Sequence, residues 1–363
     1  MYLHWSGRSV DYTGEDLLAV VEAMVSDPQT QGVYQKEFER VFSEYHGRPS
    51  FAVSSGAAAL ELASMVVEKG EVIIPAHTYC ATAIPFARRG FDIKWADIDP
   101  DYRTVTAKTI EPLITKRTRV IVVVHLYGMS APMDDIMELA EAHSLTVVED
   151  CAQSLGAEYK GKKSGTHGYI SCYSFHGQKN ISTLGEGGMI STDEDYGLRG
   201  LRHNGHRGYP NSKEVDFDIE GVYPYNFSIG EAQCAVGISQ MKRLDEMNAR
   251  RRKNARFIID NLADIEELEF QKIPEGSTHT YHLLCARYPD RDRLIKRMAE
   301  QGVECQIQYM PLYRQPLFRD FVEHDCPNSD DFYDHAISFP LYEWYSEEQL
   351  NYLLDSIRKG ITL

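Results

Sequence analysis

The chain has 363 residues, 43% hydrophobic and 25% charged, which is enough for one large domain and a smaller second one, each with its own core. A formal net charge of -16 argues against a nucleic-acid backbone as partner, and no apolar run is long enough to cross a bilayer. The seven cysteines (Cys80, Cys151, Cys172, Cys234, Cys285, Cys305 and Cys326) form no C-x-x-C pair and are odd in number, which speaks against a disulfide framework or a zinc site.

The start of the chain, Met1 to Trp5, lacks a basic segment followed by an apolar one, so a cytoplasmic protein is expected. From there short β-rich runs alternate with helical stretches. Strands are predicted at 51–54, 72–75, 91–98, 120–125 and 145–150, and helices at 56–67, 79–89, 107–114 and 133–143. The run Val120 to His125 is almost wholly apolar, as a strand covered on both faces should be. Two further strands follow at 170–175 and 188–192. The alternation predicts an α/β large domain over 1–240, three-layered around a mostly parallel sheet. A long helix at 229–262 leads into a smaller C-terminal α+β domain over 241–363. That domain has strands at 281–288 and 305–309 and helices at 291–301 and 346–359.

In such sheets ligands gather at the carboxyl ends of the strands, where Ser54, Ser55, Asp150 and the segment Ser174 to Lys179 all fall. Lys179 follows a buried strand and precedes the glycines of Gly185-Glu186-Gly187-Gly188. A pocket there would lower its pKa and free the amine for Schiff-base formation, whereas most lysines in Gly-rich loops are simply solvated. Asp150 ends its strand, where a carboxylate either pairs with a pyridinium nitrogen or caps the next helix. Gln153 lies within reach of the same ring. Ser54-Ser55-Gly56-Ala57-Ala58 puts small residues at a helix start, where free N–H groups hold a phosphate or serine merely caps. Tyr79 is either a stacking ring or ordinary packing. His77, His125 and His176 lack metal-ligand spacing, and no metal is expected.

These motifs stand in a recognisable order: Glu149-Asp150-Cys151-Ala152-Gln153, then Ser174-Phe175-His176-Gly177-Gln178-Lys179-Asn180, then Gly185-Glu186-Gly187-Gly188. With Thr30-Gln31-Gly32, Asp97-Ile98-Asp99-Pro100, His125-Leu126-Tyr127-Gly128, Tyr225-Asn226-Phe227 and Ser338-Phe339-Pro340-Leu341, the chain resembles the DegT/DnrJ/EryC1/StrS family almost end to end. Those are sugar aminotransferases of pyridoxal-phosphate (PLP) fold type I.

The resemblance implies PLP as cofactor, with pyridoxamine phosphate as its intermediate form, and Lys179 as both Schiff-base lysine and proton carrier. Asp150 would hold the ring nitrogen, Gln153 the ring's side, Tyr79 its face, and Ala57, Ala58 and Ser174 the phosphate. Asn226 would reach the phosphate in the other subunit of a homodimer. The implied reaction moves an amino group from L-glutamate, or glutamine, to a keto sugar, foremost a nucleotide-linked keto-deoxyhexose for surface glycans or natural products. An inosose acceptor and a non-catalytic PLP-binding regulator are the alternatives. Some relatives carry His in place of the lysine and act as dehydratases; Lys179 favours aminotransfer. Two departures fall in the substrate pocket. Ser228 stands where relatives often have Arg, and Gln308-Tyr309-Met310-Pro311-Leu312-Tyr313 replaces a His-Tyr-x-Pro-x-His pattern.

Overall fold

The alternation builds one seven-stranded sheet. The computed structural model describes residues 1–6, 8–194, 196–203, 223–321 and 325–362. Strands β1 (Ser50–Val53), β2 (Glu71–Pro75), β3 (Asp92–Ala96), β4 (Thr118–Val124) and β5 (Thr146–Asp150) come first. A small hairpin of β6 (Glu158–Tyr159) and β7 (Lys162–Lys163) stands apart, followed by β8 (Ile170–Ser174) and β9 (Gly188–Thr192). The sheet order is β1-β9-β8-β5-β4-β2-β3. Only β9 runs against its neighbours; the pairs β8/β5, β5/β4, β4/β2 and β2/β3 are parallel. A mostly parallel sheet is thus observed as expected. Val120 to Val124 is buried throughout, so this central strand contributes apolar side chains to both layers of helices.

The chain's second sheet is β10 (Glu269–Phe270), β11 (Leu284–Arg287) and β12 (Ala336–Phe339), all antiparallel. Helices Arg291–Glu300 and Glu347–Thr362 pack on it through Leu294, Met298, Leu353 and Ile357, all fully buried. Leu3 joins this same core and pairs with Val303, so the first residues are strapped to the C-terminal layer. In return, Leu312, Phe318, Cys326 and Phe332 pack into the core of the large sheet.

Several elements differ from the reading of the sequence. The expected helix 229–262 is two helices, Glu231–Met241 and Leu244–Asp260. At the break, Arg243 Nη2 reaches buried Asp16 Oδ2 at 2.6 Å, a tertiary contact with no local signal. The segment 305–309 is not a strand but a single bridge, Gln306 to Ser338. Beyond it the carbonyl of Gln308 accepts from Tyr127 Oη at 2.6 Å, which draws the chain off the sheet edge. Helices Gly14–Ala23, Val33–His46 and Pro327–His335, and strand β12, were not anticipated.

Candidate active site

Register places the strand ends in one row. Asp150 lies opposite Val124 on one side and Cys172 on the other, while Gly188 sits between Val53 and Ser174. A cavity of about 810 Å³ opens over that row. Its wall includes Ala57, Tyr79, Asp150, Gln153, Ser174 and Lys179, six of the eight residues singled out in the sequence.

Gly188 has no side chain to hold Ser55 away: a Cβ there would lie 2.4 Å from the Ser55 carbonyl carbon and 2.7 Å from Gly56 N. A Cβ on Gly56 would likewise lie 2.7 Å from that of Ser174. These two glycines bring the start of helix Gly56–Val66 against the end of β8. Ser55 caps the helix, its side chain accepting from Ala58 N at 3.1 Å. The N–H groups of Gly56 and Ala57 remain at the cavity wall beside the Ser174 hydroxyl, and all three donors suit an anion there. Ala58 is buried, its N–H is taken by the cap, and it does not line the cavity.

Asp150 is 5% exposed. Its Oδ2 accepts from Thr82 Oγ1 at 2.7 Å and its Oδ1 from Ala152 N at 3.1 Å. Burial raises its pKa, against the pull of these two bonds and of the Lys179 charge. Lys179 stands across the cavity wall, and burial lowers its amine to about 8, with Asp150 opposing the shift. A buried carboxylate that favours a cation and an amine that sheds its proton readily thus share one chamber. Gln153 is fixed from both ends: its Oε1 accepts from Tyr127 N at 2.7 Å and its Nε2 donates to Tyr309 Oη at 3.0 Å.

Comparison with known proteins places this geometry. The model of the DegT/DnrJ/EryC1/StrS aminotransferase family matches residues 11–358. The chain belongs to that family. It is 33% identical to the UDP-N-acetyl-3-dehydro-alpha-D-glucosamine 3-aminotransferase of Acidithiobacillus ferrooxidans, over 85% of this chain and 83% of the relative. It is 31% identical to the GDP-perosamine synthase of Escherichia coli O157:H7, over 91% of each. Among solved structures, sugar aminotransferase CalS13 from Micromonospora echinospora superposes with a TM-score of 0.91 at 26% identity, covering 98% of this chain and 100% of that one.

As a member of the DegT/DnrJ/EryC1/StrS family the protein is a PLP-dependent transaminase of the sugar aminotransferase group, with PLP fold type I architecture. The cavity fits that cofactor chemically. It offers an amine of lowered pKa, a sealed carboxylate for a protonated ring nitrogen, and a helix start with a hydroxyl for the phosphate.

Of the family's expected positions, one stands at the rim of the wall and another outside it. Tyr79 is 57% exposed at the rim, its ring 5.8 Å from that of Tyr309. Asn226 lies outside the cavity wall, bridged to His203. Several wall residues had drawn no attention in the sequence. Thr82 binds Asp150 across 68 positions, a pairing that no local pattern encodes. Tyr309 matches the family pattern within the run Gln308 to Tyr313 and carries no assigned role there, yet it anchors Gln153. Trp5, Ser6 and Ser9 enter from the N-terminal strap, and His282 enters just before β11.

The histidines resolve individually. His125 Nδ1 accepts from Ala131 N at 3.0 Å, so its Nε2 carries the proton that Glu149 accepts at 2.8 Å. That pair and Cys151 form a compact buried group, but both ring nitrogens are already engaged by protein. His77 is buried, its Nε2 2.6 Å from Tyr127 Oη, and burial chiefly lowers its pKa to about 3, so it is neutral. His176 is part of the cavity wall.

Proposed function

We propose that this transaminase moves an amino group from L-glutamate or glutamine to the ketone of a nucleotide-linked keto sugar, foremost a keto-deoxyhexose. The observation that carries the reading is the convergence of Lys179 and Asp150 on one cavity in opposite electrostatic states. Asp150 would hold the ring nitrogen protonated, and Thr82 and Ala152 N keep that carboxylate aimed. Bound there, the cofactor's pyridinium supplies an electron sink for the bonding pair released at the substrate carbon.

Lys179 would take the proton from the donor's α-carbon and later return one to the sugar carbon. A pKa near 8 suits both directions at neutral pH. Gly56 N, Ala57 N and Ser174 Oγ would hold the phosphate, with Ala58 contributing through the cap and not through its own N–H. Gln153, locked by Tyr127 and Tyr309, would support the ring's side, and Tyr79 would cover its face. Donor and acceptor would use the chamber in turn, which predicts ping-pong kinetics.

Support for a nucleotide-linked acceptor comes from the names of the relatives, which carry UDP, GDP and dTDP sugars. A homodimer is the proposed working form, Asn226 reaching the partner's phosphate. In the single chain, Leu17, Leu18 and Val21 stand exposed along helix Gly14–Ala23 and Tyr79 at the cavity rim, apolar surface that a second copy would cover. A cytoplasmic setting fits seven unpaired cysteines.

The test is a direct assay. Wild-type enzyme with glutamate should aminate UDP-, GDP- or dTDP-linked 3- or 4-keto sugars in preference to an inosose, and Lys179→Ala should abolish turnover. Preference for the inosose would overturn the acceptor, and undiminished activity of the variant would overturn the assignment of Lys179.

A further inference from the structure

The N-terminal strap lies over a buried cation. Arg251 is 1% exposed, and among the described residues no carboxylate comes within ion-pair distance of it. Neutral oxygens hold its guanidinium instead. Nη1 donates to Tyr281 O at 3.3 Å and Leu341 O at 3.2 Å, and Nη2 to Ser9 O at 3.1 Å and to the Ser9 hydroxyl. Glu343 leads the groups that favour this charge, yet that carboxyl is itself buried, pushed up by burial, and accepts from Asp11 N at 3.2 Å. A buried charge without a close counterion is costly, and this one stands a single hydroxyl behind the chamber.

The wall in front of Arg251 is made of hydroxyls that already accept from the protein. Ser9 Oγ accepts from Arg251, Tyr342 Oη from Ser6 N at 2.7 Å, and Ser6 Oγ from Arg8 N at 3.0 Å. None of the three has an acceptor for its own hydrogen among the described residues, and all three residues line the cavity. Ser9 and Tyr342 are 2% and 5% exposed, so the chamber is where those hydrogens can go. The same contacts keep the three on one stretch of wall: Ser6 rests on Tyr342, and Arg251 ties Ser9 to Leu341 beside it. Ser9 N also donates to Gly177 O at 2.8 Å, on the loop that carries Lys179. Among the described residues no arginine lines the cavity, and Lys179 is its one lysine. Hydroxyl donors backed by a guanidinium fit an anion that only accepts, and a carboxylate is the anion that the proposed amino donor carries.

We propose that Ser9, Tyr342 and Ser6 form the subsite for a carboxylate of the amino donor, with Arg251 behind Ser9 as its buried countercharge. The proposal rests on the reading of the enzyme as a glutamate- or glutamine-dependent transaminase. By donating to Ser9 Oγ, Arg251 polarises that hydroxyl and makes its O–H a stronger donor toward the chamber. A sugar hydroxyl gains nothing from the countercharge. The subsite therefore favours the donor over the acceptor, although both use one chamber.

Glutarate, a dicarboxylate with no amine to react, reads the subsite without turnover. In calorimetric titration of full-length PLP holoenzyme, its Kd should rise roughly tenfold in Ser9→Ala and in Tyr342→Phe, each of which removes one charge-assisted donor. Ser9→Thr keeps the hydroxyl and should stay within about twofold of the wild type. In the glutamate half-reaction, followed by the visible spectrum, the same loss should fall on the Kd for glutamate and not on the limiting rate. For a UDP-linked keto sugar titrated into the pyridoxamine-phosphate form, Kd should move by about threefold at most. Three results overturn the proposal: no glutarate binding by the wild type, unchanged glutarate affinity in both variants, or an equal loss for glutarate and the keto sugar, which a loosened strap would give. Should Ser9→Ala not fold, Tyr342→Phe decides alone. If neither glutamate nor glutamine converts the wild type, the donor reading fails, and glutarate still decides the subsite. If the wild type converts while glutarate binds all variants alike, only this inference fails.

Discussion

Glu149 and Asp150 are neighbours at the end of β5, both buried carboxylates, and they have opposite fates. Successive strand residues face opposite sides of a sheet, so one step along the chain changes every partner. Glu149 accepts from His125 Nε2, Gly165 N, His167 N and Gly168 N. Burial alone would raise its pKa, but the His125 hydrogen bond leads a set of interactions that bring it down to about 2. Among the described residues the Asp150 carboxylate has only Thr82 and Ala152 as donors; it faces a cavity, and its pKa is raised by burial. A carboxylate saturated by protein donors serves as a fold anchor. One left under-supplied beside a chamber is ready for a cation that the protein itself does not provide.

The contrast can be broken from either side. Asp150→Asn removes the charge that would keep the ring nitrogen protonated, and kcat/KM should fall roughly 100- to 1,000-fold while the urea midpoint hardly moves. Glu149→Gln should do the reverse. It turns an amide nitrogen toward either the His125 and Gly165 donors or the His167 and Gly168 donors, so unfolding free energy should drop by about 3 kcal/mol, read by urea denaturation. The sign with pH is fixed too. Glu149 is depressed in the fold, so its contribution is complete above its unfolded value of 4.5 and is lost as pH falls toward about 2. Acid unfolding in that window should therefore be weaker in the Gln variant. Equal loss of activity and stability in both variants would erase the distinction. A smaller effect comes from Thr82→Val, which deprives Asp150 of one donor and should cost roughly tenfold in the glutamate half-reaction.

How much of this was readable beforehand depends on range. Strand β4 is legible because an unbroken apolar run has few other fates, and the row of strand ends follows once the sheet is parallel. Asp150, Lys179 and the Ser55 cap are legible because strand-end position and small-residue composition are local facts. Thr82 on Asp150, Tyr309 on Gln153 and the Asn248–Asn180–His282 chain join positions 68 to 156 apart, and nothing in either partner's neighbourhood announces the other. The same holds for Arg243, whose pull toward Asp16 coincides with the break in the expected long helix. At Ala58 the family pattern and the local hydrogen bonding differ. The family pattern suggested a phosphate donor, but once Ser55 caps the helix its N–H is already spent.

The finest probe of the contrast is the charge of Asp150 as felt by Lys179. The lysine amine is lowered to about 8 by burial, and Asp150 works against that shift by favouring the ammonium. Only the unprotonated amine adds to the cofactor's aldehyde, so the rate at which apoenzyme takes up PLP should rise with pH through about 8 and level off above it, as stopped-flow absorbance would record. In Asp150→Asn the opposing charge is gone, burial acts alone, and the inflection must move to lower pH. In Glu149→Gln it should stay in place, because Glu149 is not among the groups that shift Lys179. An inflection that stays in place in Asp150→Asn would mean that the carboxylate is protonated, or turned away, before the cofactor arrives. The difference between the two acids would then be made by the ligand and not by the strand.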